Sequence, residues 1–487
     1  MDEIAVFPLN SRPLSLHSTT ESKLVPHLTL DAYSSPSSLP NSSEGYRLYR
    51  RRFSGCFSLV LLNIICAMNW FLFSTIATQT SERFKISLTQ VNWLANIVCG
   101  IYLLAAPLVP WLLRRTSIRG VCLIAAVFLL VGGWLRYASI SSSLSPASSY
   151  ALLFIGSALV GVAQCFVQVV PPAFSETWFG LSSRTTVTMI IAVANPFGGA
   201  ISSLLAPGVV STSSDLSSLL LIMALVSSAG VPLALLIGAR PPSPPTKSAE
   251  TRLNAETESL GMWKTSLVLL GVLSDTRVNW RQRLDFGVIA FLFTIIVGFF
   301  DAFLTLTNQI FEPVGYSSNM AGYIGAAVIV SGLIAAIVCA PLLDRYFPFR
   351  LALCAKVLVP VIGISFFALT YAVGPPPSLG AIFTLAVLLG SSSFTMLPIA
   401  LELAAEVVWR VAGPDTTSGI LYMLANGWSV VTVVAMGALR ANSEAIPPFN
   451  MRKALMLEGI MVLASSIAIF TLQGRQTRKR TDMGMGA

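Results

Sequence analysis

Charge is scarce in this chain. Of 487 residues only 11% are Asp, Glu, Lys or Arg, against 54% hydrophobic. A soluble domain carries about 25% charged residues. So little charge cannot cover a water-facing surface of this size, and the bulk of the chain is expected to face lipid. Histidine is scarcer still: His17 and His27 are the only two, both near the N-terminus. That excludes His-based triads and His-ligated zinc or haem from the apolar region. None of the seven cysteines forms a CxxC pair and all sit in apolar stretches, so they read as small packing residues. No G-x-x-x-x-G-K-[S/T] loop occurs, which argues against ATP-driven work by this chain. No nucleophile–base pair is visible, so an enzyme is the least favoured class. The formal charge of +9 is not gathered on a soluble domain, so nucleic acid is not the expected partner. No cofactor or metal is called for.

What is present is hydrophobic length. Spans of about 20 apolar residues, enough to cross a bilayer, are predicted near 53–76, 89–113, 117–139, 148–171, 184–208 and 216–239. Six more follow near 285–308, 320–343, 350–373, 379–402, 416–439 and 454–473. The fold class is therefore all-α, with two six-helix bundles at 53–239 and 285–473. Residues 1–46, rich in Ser, Pro and Thr and without an apolar leader, read as a disordered cytosolic tail, and 474–487 as a second one. Between the bundles, 240–284 opens on Arg240-Pro241-Pro242-Ser243-Pro244-Pro245, a linker, and its apolar run 259–273 reads as an interfacial helix.

Lys and Arg set the orientation. With the N-terminus in the cytosol, the outer loops hold Arg83, Lys85, Arg136, Arg440, Arg452 and Lys453, and the remaining basic residues fall inside. Both termini are thus expected to be cytosolic, their basic clusters against lipid headgroups. The membrane itself, plasma or organellar, stays open.

The halves repeat at an offset near 230. Leu112-Leu113-Arg114-Arg115 lies over Leu342-Leu343-Asp344-Arg345, Glu176 over Glu406, and Ala194-Asn195 near Ala425-Asn426. Two parallel six-span halves with a site between them is how many secondary transporters are built. The stretch Leu342-Leu343-Asp344-Arg345-Tyr346-Phe347-Pro348-Phe349-Arg350 resembles the G-x-x-x-D-R-x-x-x-R loop of the major facilitator superfamily, apart from the opening Gly. In the first copy Arg114 stands where the pattern has Asp. The resemblance implies a cytosolic gate built on Arg114, Arg115, Asp344, Arg345 and Arg350.

Several stretches resemble solute carrier family 49, the feline leukaemia virus subgroup C receptor-related transporters: Asn69-Trp70-Phe71-Leu72-Phe73-Ser74-Thr75-Ile76, Trp178-Phe179-Gly180, and Glu402-Leu403-Ala404-Ala405-Glu406 with Gly413-Pro414-Asp415-Thr416-Thr417-Ser418-Gly419. The resemblance implies transport of choline and ethanolamine, haem, or pyridoxine. It also implies that Trp70, Gln164 and Asn426 line the cavity.

Asp301 leads the site candidates. It lies deep in the seventh span, whereas the first six spans contain no acid. A carboxylate there is costly unless hydrated, paired or protonated, so Asp301 is expected to hold a cationic solute or to carry a proton. The bland reading is a pair with an outer-end base such as Arg136. The family it resembles has an aromatic at this position. Trp70 matches Asp301 in depth, and a Trp face attracts cations by roughly 0.5–2 kcal/mol; the bland reading is a core or lipid-facing ring. Asn69, Gln164, Asn195, Thr305 and Asn426 complete the candidate substrate set, with interhelical glue as the alternative. Glu402, Glu406 and Arg410, at i, i+4, i+8, read as one face of a gate network with Asp415 and Glu176; a solvated helix end is the alternative. Glu458 reads as interfacial.

The expectation is a monomeric alternating-access transporter of a small organic solute, an amine or other cation. A proton-coupled drug or metabolite exporter is the rival within transport. A non-transporting membrane receptor or scaffold is the rival from another class.

Overall fold

The computed structural model describes residues 48–243, 261–346, 350–373 and 378–475. The expected tails and part of the linker lie outside these residues. Among the described residues twelve helices are long and apolar enough to cross a membrane. Spans 1–6 are Arg51–Trp70, Leu88–Ala105, Ile118–Ala138, Pro146–Trp178, Thr186–Val209 and Ser213–Leu236. Spans 7–12 are Trp280–Thr305, Ser318–Cys339, Leu351–Ala372, Leu379–Val407, Thr416–Ala438 and Arg452–Thr471. The protein is a multi-pass integral membrane protein. The end where span 1 begins and span 12 finishes is called the terminal end below.

Local chemistry sets several of the boundaries. Span 2 starts on a capping box, Ser87 with Gln90, and span 7 on Asn279 with Gln282; each pair satisfies orphan helix N–H groups. Span 4 starts with Ser145 as cap and Pro146 in the first turn, the position proline tolerates. Span 2 stops at Ala105, just before Pro107, and a separate helix, Leu108–Arg115, takes over. A short helix, Met262–Leu269, precedes span 7.

Spans 1 and 7 both end early. Span 1 stops at Trp70 and a bent stretch leads to a helix at Ala77–Phe84. Ser74 Oγ donates to the Phe71 carbonyl at 2.7 Å, the local bond by which serine competes with a helix ladder. Span 7 stops at Thr305, followed by a helix at Thr307–Phe311. The two breaks lie at matching places in the repeat.

The halves meet where span 5 packs on span 8 and span 2 on span 11. With hydrocarbon on both sides, such contacts rest on close packing of small residues. Gly322 of span 8 is one: a Cβ there would stand 2.4 Å from the Ser203 carbonyl oxygen of span 5.

Two residues sit otherwise than their sequence positions indicate. Arg136 is not in an outer loop; it is inside span 3 and 1% exposed. Glu458 is not interfacial; it is completely buried in span 12, and neither carboxyl oxygen has a hydrogen-bond partner. Arg136, two positions from the end of its helix, and Glu458, in the second turn of its own, are assigned to the boundary by pattern, whereas helix rotation turns both inward.

Candidate functional site

A cavity of about 110 Å³ lies between the halves. Its wall takes residues from spans 1, 4, 5, 7, 8, 10, 11 and 12. For scale, an apolar cavity of about 150 Å³ accepts benzene, so the space suits a small solute.

Six aromatic rings line it: Trp70, Phe71, Phe293, Phe300, Phe394 and Tyr422. Trp70 stacks on Phe71, centroids 4.5 Å apart. Phe293 meets Tyr422 edge-on at 5.5 Å, and Phe300 meets Phe394 at 5.6 Å. Asp301 is the charged residue in this wall; no Lys or Arg lines it. Asp301 is 8% exposed. Among the described residues it makes no hydrogen bond or ion pair, and Arg136 binds elsewhere.

The predicted substrate set divides. Trp70, Asn195, Asp301 and Asn426 line the cavity. Asn426 anchors itself by donating to the Tyr422 carbonyl at 2.8 Å. Gln164 stands behind the wall, paired amide to amide with Asn195; its neighbour one turn on, Gln168, lines the cavity instead and accepts from Tyr102 Oη at 3.1 Å. Asn69 faces away: its amide donates to the Ile65 carbonyl and to Ser227 Oγ. Thr305 is buried at the end of span 7, outside the wall. Gln168 and five of the rings were missed by sequence reasoning. One signal was available: Phe293, Phe300 and Leu304 recur at helical spacing beside Asp301.

Toward the terminal end a second cavity, about 180 Å³, shares Ala192, Phe394 and Leu397 with the first. Its wall includes Glu176, Glu402 and Ser418. Glu406 is buried nearby on span 10. Arg410 does not share their helix face, because span 10 stops at Val407; its guanidinium lies over the Trp409 ring at 5.4 Å. Gly413-Pro414 then opens the next helix, Pro414–Ala438. Arg115 is exposed at the end of its helix, its guanidinium 5.8 Å from the Trp111 ring centroid, and Arg350 is exposed just ahead of span 9. The side chains of Arg114, Asp344, Arg345 and Asp415 lie outside the described residues.

At the opposite end, hydrogen bonds cross between the halves. Thr78 Oγ1 donates to Glu312 Oε2 at 2.6 Å and to Asn308 Oδ1 at 3.2 Å. Gln79 Nε2 donates to Ser318 Oγ at 3.2 Å, and Gln309 Nε2 to Asn92 Oδ1 at 2.6 Å. These bonds use the short helices that follow the breaks in spans 1 and 7. The site is thus a buried, aromatic-walled space with a polar seam on one side and an adjoining, acid-bearing cavity on the other.

Known proteins share this build. A Caenorhabditis elegans protein named Uncharacterized MFS-type transporter C09D4.1 is 28% identical over 80% of this chain, a match spanning 65% of its own length. Solute carrier family 49 member A3 of Xenopus tropicalis is 27% identical over 78% of each chain. Choline/ethanolamine transporter flvcr2b of Danio rerio is 25% identical over 81% of this chain and 79% of its own. Among solved structures, a D-xylose-proton symporter superposes with a TM-score of 0.65 at 15% identity, covering 87% of this chain and 99% of that one; at this identity the likeness concerns the fold alone. Residues 59–433 match the family profile described as Major Facilitator Superfamily. The chain is a membrane transporter, not an enzyme, and it belongs to the major facilitator superfamily, with resemblance to solute carrier family 49.

Proposed function

We propose that this transporter moves a small organic cation of the choline, ethanolamine or pyridoxine kind by alternating access. The observation that carries the reading is Asp301, an acid with no hydrogen bond or ion pair among the described residues, in a wall of aromatic rings. A carboxylate set in apolar surroundings attracts a counter-charge strongly, and aromatic faces favour quaternary and primary ammonium groups. The zebrafish relative, named a choline/ethanolamine transporter, agrees with this chemistry.

In this reading the terminal end is cytosolic, as the Lys and Arg distribution favours. The polar seam is then the closed outer gate, and the adjoining cavity with Glu176 and Glu402 is the inner mouth. Glu406 sits beside that mouth, and Arg114, Arg115, Asp344, Arg345, Arg350, Arg410 and Asp415 are assigned to the same gate. Residues 53–239 and 285–473 act as the two rocking bundles, joined by 240–284, and a single chain forms the working unit. Solute binding must favour the occluded state over the open one for the halves to switch.

The test is a thermal-shift screen of the purified protein against choline, ethanolamine, pyridoxine, polyamines and haem. A cation that binds the folded state raises the melting temperature in proportion to occupancy. Choline, ethanolamine or pyridoxine is expected to do so, and uptake of the same compound into proteoliposomes should saturate. Absence of any stabilisation discards the substrate class.

A further inference from the structure

Arg136 has no part in the site as read from sequence, yet it is among the most buried side chains of the protein, at 1% exposure. A guanidinium sealed from water demands partners. None of its partners is an acid. Its Nη1 donates to the backbone carbonyl of Asn69 at 2.8 Å, and its Nη2 donates to Ser157 Oγ at 2.9 Å. Asn69 Oδ1 lies 3.5 Å from Nη1, and the Phe73 ring centroid 5.6 Å from Cζ. Gly156 makes room: a Cβ there would stand 2.8 Å from the arginine Cγ.

The Asn69 carbonyl belongs to the last turn of span 1. Carbonyls there have no partner within their own helix and carry the negative end of its dipole. Span 1 ends at Trp70, so Arg136 grips the helix where it breaks. The next residue is Trp70 itself, whose Nε1 is buried without a hydrogen-bond partner. That ring's only polar neighbour among the described residues is the Cys99 thiol, a weak one. Its placement rests on the backbone at 69–71 and on the stack with Phe71.

We propose that Arg136 is a positioning residue for the cavity: it fixes the broken end of span 1 so that Trp70 and Phe71 stand in the wall with Asp301. Arg136 acts through the backbone and touches no solute. Its role in cation affinity rests on the function proposed above; its hold on Trp70 does not.

The test uses two readouts on the full chain. In the first, the protein is labelled with 5-fluorotryptophan, and the Trp70 fluorine resonance is assigned from its loss in Trp70→Phe. Arg136→Gln is expected to move or broaden the Trp70 resonance and leave distant ones, such as Trp263 and Trp409, in place. In the second, choline uptake is measured in proteoliposomes. Arg136→Lys, which keeps the charge but not the planar fork, should raise KM about tenfold with little change in maximal rate. The double variant with Trp70→Phe should be no worse than the poorer single one. The proposal is overturned if the Trp70 resonance stays in place in folded Arg136→Gln, or if the two KM effects multiply independently. If the unaltered protein transports no choline, the substrate reading fails alone, and the fluorine spectrum still decides the role of Arg136.

Discussion

Gln164 and Asn195 form a reciprocal amide pair between spans 4 and 5: Gln164 Nε2 donates to Asn195 Oδ1 at 3.1 Å, and Asn195 Nδ2 donates to Gln164 Oε1 at 3.2 Å. Asn195 Nδ2 also reaches the Asn63 carbonyl of span 1 at 3.4 Å. Three helices of the first half thus converge on one side chain at the cavity wall. Interhelical polar contacts in membranes average about 0.6 kcal/mol, with the strongest near 1.7. Asn195→Ala is expected to cost about 1 kcal/mol or more, because Gln164 is left buried without its partner. A lowered melting temperature in detergent would register this. Trp70→Phe, which leaves this amide pair intact, should lower the melting temperature less.

Asp301→Asn keeps the shape of the cavity wall and removes its charge. Choline affinity is expected to fall about tenfold or more, since an ion pair in low dielectric exceeds the 1.4 kcal/mol of a factor of ten. Isothermal titration on the detergent-solubilised variant measures this directly. Retained affinity with lost pH dependence of flux would instead mark Asp301 as a proton carrier and favour the exporter reading.

That pH comparison needs a quiet background, and the loop before span 7 offers one. Hydrogen bonds and charge from Arg277 pull the Asp275 carboxyl down to about 2 from 3.8. A depressed acid contributes above its unfolded value and loses its contribution as pH falls through the folded one. The Asp275–Arg277 pair at 2.7 Å therefore stays intact from pH 5 to 8. Asp275→Asn is expected to leave the flux profile in that window unchanged; a shifted profile would contradict this.

Glu312 supplies the only carboxylate of the inter-half hydrogen bonds described above. Glu312→Gln weakens a charge-assisted bond at a partly hydrated site, which is expected to cost about 1 kcal/mol. The seam should then open about fivefold more often. In a background lacking the seven native cysteines, a cysteine at Thr305 should react correspondingly faster with an impermeant maleimide applied from the seam side.

Glu458 gives a prediction of the opposite sign. Its buried carboxyl has neither oxygen paired, so it contributes burial cost and no compensating bond. Glu458→Met should leave thermal stability unchanged or raise it, by melting in detergent. A clear loss of stability would show that the acid is held by an interaction formed in another state of the cycle.

Much of this architecture was legible in the residues. Twelve apolar runs, the offset near 230 and the family resemblance were enough for the fold class; depth singled out Asp301, and depth with the resemblance singled out Trp70. Hydropathy reads length, however, not interruption. The runs 53–76 and 285–308 look continuous, while the chain breaks inside both. Rotation about a helix axis is also invisible to it. Hence Asn69, adjacent to Trp70, points into the first half, Gln168 rather than Gln164 meets the cavity, and Arg136 turns inward. The rings facing Asp301 from spans 10 and 11 are set by packing between helices far apart in sequence, which a single chain does not encode locally.

The polar seam is built almost wholly from neutral hydroxyls and amides. Water can replace every one of those contacts at little net loss. Buried ion pairs in the same place would carry a desolvation cost at each closure. Thr78, Gln79, Asn92, Asn308, Gln309 and Ser318 instead give a shallow well. The two faces of the transporter can then lie close in free energy, so that the modest binding energy of a small solute is enough to decide which one is open.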